Sequence, residues 1–153
     1  MSLDFRQFRA LIIRPVITKM GMHSENAEEL LLGTAIQESE LCFLRQRPDG
    51  PALGVYQVEP DTMKDLYDNY LSFRPEVKQL VDRDSIGFQD PNELIWNLNY
   101  ATAICRAIYR RFPEPIPDSL EGRAAYWKKY WNTEQGAGTV EQFIHNYKTI
   151  TGG

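Results

Sequence analysis

Glu38 lies where an acidic side chain could do chemistry. It ends an almost wholly apolar run that begins at Leu30, and on a helix over residues 25 to 38 it shares a stripe with Leu31 and Ala35. Burial and the negative end of the helix dipole both disfavour an ionised carboxyl group, so this position predicts a raised pKa. A carboxylic acid that keeps its proton near neutral pH can protonate a glycosidic oxygen, which makes Glu38 a candidate catalytic acid.

The pattern alone leaves a plainer interpretation of Glu38 open. It could be a solvated helix end that pairs with Arg45 or Arg47. Leu32 and Ile36 widen the apolar stripe until the helix is apolar on nearly every side, which weakens the assignment of Glu38 to a buried face. The choice between the two interpretations therefore depends on a second motif.

That second motif lies in residues 50 to 62, after a short loop rich in Pro, Asp and Gly. Together with residues 37 to 39 (Gln-Glu-Ser), it resembles the paired signature of soluble lytic transglycosylases and goose-type lysozymes. In those families a helix ends in Glu-Ser, and a Gly-aliphatic-large-Gln stretch, a proline and a threonine follow. The resemblance implies that Glu38 is the catalytic acid. It implies substrate contacts for Ser39, Gly54, Tyr56 and Gln57.

The resemblance is weaker in the last third of the chain. These families carry a late Tyr-Asn-Ala-Gly motif that lines the cleft, and Tyr130 and Asn132 are similar to its first two residues. Here Trp131 separates the tyrosine from the asparagine and the glycine is displaced. Tyr126, one helical turn earlier, is a rival for the tyrosine role. Trp131, like Trp127, is expected in the core, with a sugar platform as the alternative.

The resemblance also implies a reaction. Glu38 would protonate the oxygen between N-acetylmuramic acid and N-acetylglucosamine of peptidoglycan, and then take a proton from the C6 hydroxyl group to leave a 1,6-anhydro ring. Attack by water would instead require a second carboxylate, for which Glu59 and Asp61 are the nearby candidates. Asp61 is expected to cap a helix instead.

The sequence offers little to other kinds of chemistry. His23 and His145 are the two histidines, and neither lies in a metal-ligand spacing, so both are expected at the surface. A serine nucleophile elbow and a phosphate-binding loop are not found. We therefore predict no metal and no other cofactor. Cys42 and Cys105 are expected to be two buried thiols, with a disulfide as the alternative.

The elements that must position these residues are helical. Residues 1 to 153 are expected to form a single lysozyme-like domain, mainly α or α+β, with six or seven helices and a small β or irregular segment near residues 53 to 58. Capping signals mark several helix starts: Ser24, Asp61, Asp90-Pro91 with Glu93, Asp118 or Ser119, and Thr139 with Gln142. The expected helices are 4–19 with a kink or break near Pro15, 25–38, 61–71, 75–81, 91–112, 119–131 and 140–148.

The composition of the chain bears on which ligands it binds and where it acts. The 153 residues carry a net charge of −4 and a pI near 5.2, which argues against nucleic acid as the main ligand. Neither a membrane span nor a signal peptide is found, so we expect synthesis in a host cytoplasm. A bacteriophage protein that acts at the bacterial cell wall, carried there in the virion with other virion proteins as partners, reconciles these features with a peptidoglycan substrate. The alternatives are a structural neck, tail or ejection protein with a lysozyme-like fold and little activity, or a helical adaptor whose motif match is coincidental.

Overall fold

Helices account for most of residues 2–153, which are the residues that the computed structural model describes. The mainly α class is confirmed, and among these residues β structure is limited to isolated bridges. The α-helices are α1 (Phe5–Phe8), α2 (Arg14–Lys19), α3 (Glu25–Ser39), α4 (Pro60–Asn69), α5 (Pro75–Asp82), α6 (Glu93–Trp96), α7 (Leu98–Arg110), α8 (Leu120–Trp127) and α9 (Val140–Thr151). Two π-helical segments, Arg9–Ile13 and Lys128–Asn132, and one 3₁₀ turn, Leu71–Phe73, complete the helical structure of this part.

Of the kink or break expected near Pro15, the break is not observed, because helical structure continues from Phe5 to Lys19. The π segment Arg9–Ile13 joins α1 to α2, and the Arg14 amide donates to the Arg9 carbonyl five residues earlier. This widened turn lies directly before Pro15, whose ring would clash with the carbonyl four residues earlier in a regular α-helix. The helix therefore tolerates the proline without ending.

The same π segment assembles an ionic cluster. Glu28, buried on α3, accepts hydrogen bonds from Arg9 Nε at 2.7 Å and Arg14 Nε at 2.9 Å, and it also contacts His23. Residues five apart diverge on an α-helix, whereas a π turn brings them towards one face. Hydrogen bonds from the two guanidinium groups and His23 outweigh the effect of burial and lower the pKa of Glu28 to about 2.

Helix α3 is the central element. The Ser24 hydroxyl oxygen accepts from the Ala27 amide at 3.0 Å, so the predicted cap is confirmed, and α3 ends where Glu40 adopts a left-handed conformation. Its side chains are buried on nearly every side because α7, α8 and α9 all pack against it. This packing places Glu38, in the last turn, beside the C-terminal half of the chain.

The expected continuous helix over residues 91 to 112 is divided. Asn97 adopts an extended conformation and its side chain accepts from the Tyr100 amide at 3.0 Å, so α7 has its own cap. The predicted cap at Asp90 is wrong, because α6 begins only at Glu93, with Asn92 in the N-cap position. The Glu93 side chain does not bond back to the cap. It is buried and accepts from Ser85 Oγ at 2.7 Å and from the backbone amides of Ile86 and Gly87 at 2.8 and 2.9 Å. The structural role of Glu93 is therefore to hold residues 85 to 87 in place.

The segment at residues 53 to 58 forms a tight turn. Leu53 and Val58 exchange backbone hydrogen bonds of 2.9 and 3.0 Å, and the chain reverses between them. Helix α4 then begins at Pro60, with Glu59 in the N-cap position. The expected cap at Asp61 is therefore wrong, because the proline starts the helix one residue earlier.

Three further expectations concern the rest of the chain. The capping box of Thr139 and Gln142 is confirmed, and α9 follows it. Cys105 is buried as expected, but Cys42 is exposed because it lies beyond the end of α3, so that part of the prediction is wrong. No helix within residues 2–153 has both the length and the apolar composition needed to cross a membrane.

Candidate active site

A cleft with a volume of about 390 Å³ opens beside the last turn of α3. Most of its walls come from the end of α3, the turn at residues 53 to 58 with the start of α4, and the π segment after α8, and Gln46, Ile108 and Gly136 complete the lining. These parts are distant in sequence and meet because α8 packs against α3. The side chains that line it include Glu38, Gln57, Glu59, Tyr130, Trp131 and Asn132.

Glu38 contributes the half-buried carboxyl group of this cleft. Burial raises its pKa to about 7, and a hydrogen bond from Trp127 Nε1 to its Oε2 at 3.1 Å opposes part of that rise. Among the described residues it forms no ion pair with Arg45 or Arg47, and Arg47 instead lies over the ring of Phe43. The structure therefore supports the buried-acid interpretation over the solvated helix end.

Trp127 is a site residue whose contact with Glu38 the sequence did not predict. Its ring is fully buried and packs on Phe143, with ring centroids 5.2 Å apart. The indole N–H is its single polar group, and it is directed at Glu38. Eighty-nine positions separate the two residues, so no local pattern could have indicated this contact.

Gln57 lies on the cleft wall. Its side-chain amide donates to the Gly54 carbonyl at 2.8 Å, and its backbone adopts a left-handed conformation with φ of 54°. The tight turn therefore holds both the backbone and the side chain of Gln57 in place. Beside it, Gln46 accepts from the Ala52 amide at 3.1 Å and closes the same wall.

Tyr130 and Asn132 also line the cleft, with Trp131 between them. All three belong to the π segment, in which the Thr133 amide donates to the Lys128 carbonyl at 2.7 Å. Tyr130 stacks on Phe112 and Trp131 stacks on Tyr109, with centroids 4.4 and 5.2 Å apart. The rival Tyr126 is buried, and its hydroxyl donates to the Glu114 carbonyl, so it lies outside the cleft lining.

Three residues expected to contact substrate lie elsewhere. Ser39 is buried and its hydroxyl donates to the Ala35 carbonyl at 3.0 Å, because it faces the core when Glu38 faces the cleft. Tyr56 is fully buried and shares a 2.9 Å hydrogen bond with Thr102. Gly54 adopts φ of 80°, and a Cβ there would lie 2.1 Å from the Leu94 carbonyl oxygen, so it is required for packing against α6.

A second carboxyl group, that of Glu59, borders the same cleft. Although Glu59 is the N-cap residue of α4, its side chain makes no capping hydrogen bond. It is exposed, and Asp61 is not part of the lining. Of the two acids considered for activating water, Glu59 is therefore the one that borders the cleft.

No family model matches the chain, and neither a curated protein nor a solved structure matches it. The chemistry of the site follows from its own geometry. A carboxyl group with a pKa near 7 can give up a proton and take one back at neutral pH, and the indole N–H stabilises its anionic form. Amide and aromatic side chains around it suit a polar ligand with flat faces.

The Glu38→Gln substitution is expected to stabilise the fold at alkaline pH. Because folding raises the Glu38 pKa from 4.5 to about 7, the stability due to its proton is present below pH 4.5 and is lost as the pH rises through 7. By about pH 9 the variant should be more stable than the wild type by about 3 kcal/mol, and near pH 4 this difference should vanish. Urea unfolding at both pH values measures it. The exposed neighbour substitution Glu40→Gln is the control, and parallel pH profiles for wild type and Glu38→Gln would contradict the assignment.

The Trp127→Phe substitution is expected to raise the Glu38 pKa further, because it removes the hydrogen bond that stabilises the anion. Carboxyl ¹³C chemical shifts followed against pH report this pKa directly. Trp131→Phe is the matched control, since Trp131 lines the cleft and stacks on Tyr109 without donating to Glu38. An unchanged or lowered Glu38 pKa in Trp127→Phe would show that the indole does not support the anion.

Proposed function

We propose that the protein cleaves the glycosidic bond between N-acetylmuramic acid and N-acetylglucosamine in peptidoglycan, with Glu38 as the acid. The observation that carries this proposal is the position of Glu38. Its carboxyl group has a pKa raised to about 7 and lies in a cleft that also holds Gln57, Tyr130 and Asn132. Glu38 and Gln57 come from the two halves of the sequence motif, and Tyr130 and Asn132 come from the late segment, so residues from all three stretches line one cleft.

The proposed reaction begins with proton transfer from the Glu38 carboxyl group to the glycosidic oxygen. The C1–O bond breaks, and the electron pair leaves with that oxygen, so C1 acquires oxocarbenium character that the acetamido group of the substrate can stabilise. The Glu38 carboxylate then takes the proton of the C6 hydroxyl group while O6 bonds to C1. The product is a 1,6-anhydro ring, no water is consumed, and Glu38 ends as it began.

The surroundings of Glu38 suit both halves of this cycle. Burial favours the protonated acid that starts the reaction, and the hydrogen bond from Trp127 favours the carboxylate that completes it. The two effects leave the pKa near neutral pH, where one group can act as acid and as base. A strong ion pair at the same position would have held the group permanently ionised.

The cleft walls supply groups that can hold a saccharide. Gln57 and Asn132 carry amides for hydroxyl and acetamido groups, while Tyr130 and Trp131 are aromatic residues held by stacking on Phe112 and Tyr109. Aromatic surface combined with a few convergent polar groups is typical of small-molecule sites.

A hydrolytic route is the second candidate, and Glu59 is the observation that favours it. Its carboxylate borders the cleft and has no capping hydrogen bond, so it could accept a proton from an attacking water molecule. The product would then carry an ordinary reducing end at N-acetylmuramic acid instead of the anhydro ring. A Glu59→Gln variant should lose this product and leave an anhydro product unaffected.

For the biological setting, we propose a bacteriophage particle that brings the protein to the bacterial wall. Its net charge of −4 favours this setting over a free wall-binding lysin, because the wall itself is anionic. Assembly into a particle would supply the local concentration that such a protein otherwise lacks.

The test is digestion of purified Gram-negative sacculi, with mass spectrometry of the released fragments. Release of anhydro-muropeptides supports the proposed reaction, and release of reducing ends supports the route through Glu59. If the wild type releases nothing across a range of pH values, a structural role in the virion becomes the better account.

A further inference from the structure

We propose that Lys128 is a positioning residue, whose ammonium group fixes the cleft wall that carries Asn132 and supports Trp127. The expected effect of Lys128 on the reaction rate rests on the proposed function. Its expected effect on the surroundings of Glu38 rests on geometry alone. Lys128 is the first residue of the π segment and lies behind the cleft, outside its lining.

Three acceptors surround the Lys128 ammonium nitrogen. It donates to Asn132 Oδ1 at 2.6 Å, to the Gly138 carbonyl at 2.7 Å and to the Gly136 carbonyl at 3.1 Å. An ammonium group has three N–H donors, and each of them has an acceptor here. Because one acceptor is on the helix and two are on the following loop, the lysine closes residues 132 to 138 into a ring.

The first residue of this loop, Thr133, has an unfavourable backbone conformation, so the loop needs contacts that hold it in place. Thr133 adopts φ of 69° and ψ of 169°, a conformation that is rare for a β-branched residue. Strained backbone of this kind persists only where surrounding contacts determine it. The loop is also closely packed, since a Cβ at Gly136 would lie 2.5 Å from the Asn132 carbonyl oxygen.

Trp127 connects the clamped loop to Glu38, because it contacts both of them. A Cβ at Gly138 would lie 2.6 Å from Cη2 of Trp127, so the backbone of residue 138 rests directly on the indole ring. The Nε1 atom of the same indole ring donates to Glu38. Moving the loop therefore changes two things together: the position of the Asn132 amide in the cleft and the support under the Trp127 ring.

Few other charges can explain a change at Glu38. Cys105 and Tyr109 are the titratable groups that couple to it, and burial raises the pKa of each, so both are neutral near pH 7. Glu59 borders the cleft at its rim. The neighbouring Lys129 pairs with Glu114 at the surface, 2.8 Å away. The Lys129 ammonium group also lies 5.0 Å from the ring centroid of Tyr130, which lines the cleft. A charge change at residue 129 therefore serves as a control for the Glu38 titration, but not for substrate binding.

The experiment compares Lys128→Met with Lys129→Met in the full-length protein. Both substitutions remove one positive charge and keep an unbranched side chain, but only the first removes the clamp. We expect Lys128→Met to raise the Glu38 pKa, as Trp127→Phe does, and Lys129→Met to leave it unchanged by carboxyl ¹³C titration. On solubilised glycan strands, Lys128→Met should lower kcat/KM by about 10-fold to 100-fold, with a rise in KM.

A second variant keeps the proposal testable if Lys128→Met fails to fold. Gly136→Ala retains the lysine but forces the loop away from Asn132, and it should shift the Glu38 titration in the same direction. Wild-type titration in either clamp variant, or equal effects of Lys128→Met and Lys129→Met, would overturn the proposal. The ¹³C titration needs no turnover, so it decides this point even if the wild type proves inactive on sacculi.

Discussion

The Glu38→Gln substitution is expected to lower the rate of glycan release by about 10³-fold or more. General acid catalysis contributes about 10² to 10⁴ in rate, and an amide can neither protonate the glycosidic oxygen nor accept a proton from the C6 hydroxyl group. The geometry should survive, because the amide oxygen of glutamine can still accept from Trp127 Nε1. Loss of rate without loss of folding would then be due to the missing proton.

The rate is measured as fragment release from sacculi, with circular dichroism and urea unfolding as checks on folding. Glu40→Gln is the matched control, since Glu40 is the exposed neighbour beyond the end of α3 and its change should leave the rate within about 2-fold. The pKa of Glu38 is near 7, so wild-type activity should fall as the pH rises above that value and the acid loses its proton. A Glu38→Gln variant with near-normal release would eliminate Glu38 as the acid.

The largest expected loss of stability comes from Glu28→Gln. The guanidinium groups of Arg9 and Arg14 converge on this buried carboxylate, and hydrogen bonds from them and His23 lower its pKa from 4.5 to about 2. The stability from this shift is therefore present above pH 4.5 and is lost as the pH falls through 2. Removing the charge should cost about 3 kcal/mol at pH 7, and the difference from wild type should shrink towards pH 2.

Urea unfolding at about pH 7 and about pH 3 measures this effect. The control is Glu25→Gln, an exposed acid in the first turn of the same helix, which should change stability by less than about 0.5 kcal/mol. A Glu28→Gln variant with the same loss at both pH values would indicate a packing effect in place of a charge effect.

The parts of the fold that could be predicted are those with a local signal. Ser24 before α3, and Thr139 with Gln142 before α9, satisfy amide donors within three residues, so the sequence alone contains the whole interaction. The division at Asn97 could not be predicted, because Asp90-Pro91 with Glu93 indicates one helix start and nothing local shows what binds the side chain of Glu93. Its actual partners, Ser85 to Gly87, precede it in a loop whose position depends on tertiary packing.

The site shows the same division between local and distant information. Glu38 and Gln57 were predicted because a motif specifies both residue types and their spacing. That motif did not specify which neighbours face inward, so Ser39 and Tyr56 were assigned to the substrate although both are buried. Trp127 could not be predicted, since its contact with Glu38 exists only once α8 packs against α3.

The π segment Lys128–Asn132 holds one residue more in its turn than a regular α-helix does. Within this segment, Trp131 lies between Tyr130 and Asn132, and all three residues line the cleft. An added residue in a regular α-helix would rotate everything after it by about 100° and turn Asn132 out of the cleft. A hydrogen bond from Thr133 to Lys128, spanning five residues, takes up the extra length within one turn. The wider turn therefore lets one short segment supply both aromatic surface, from Tyr130 and Trp131, and an amide, from Asn132, to the same cleft wall.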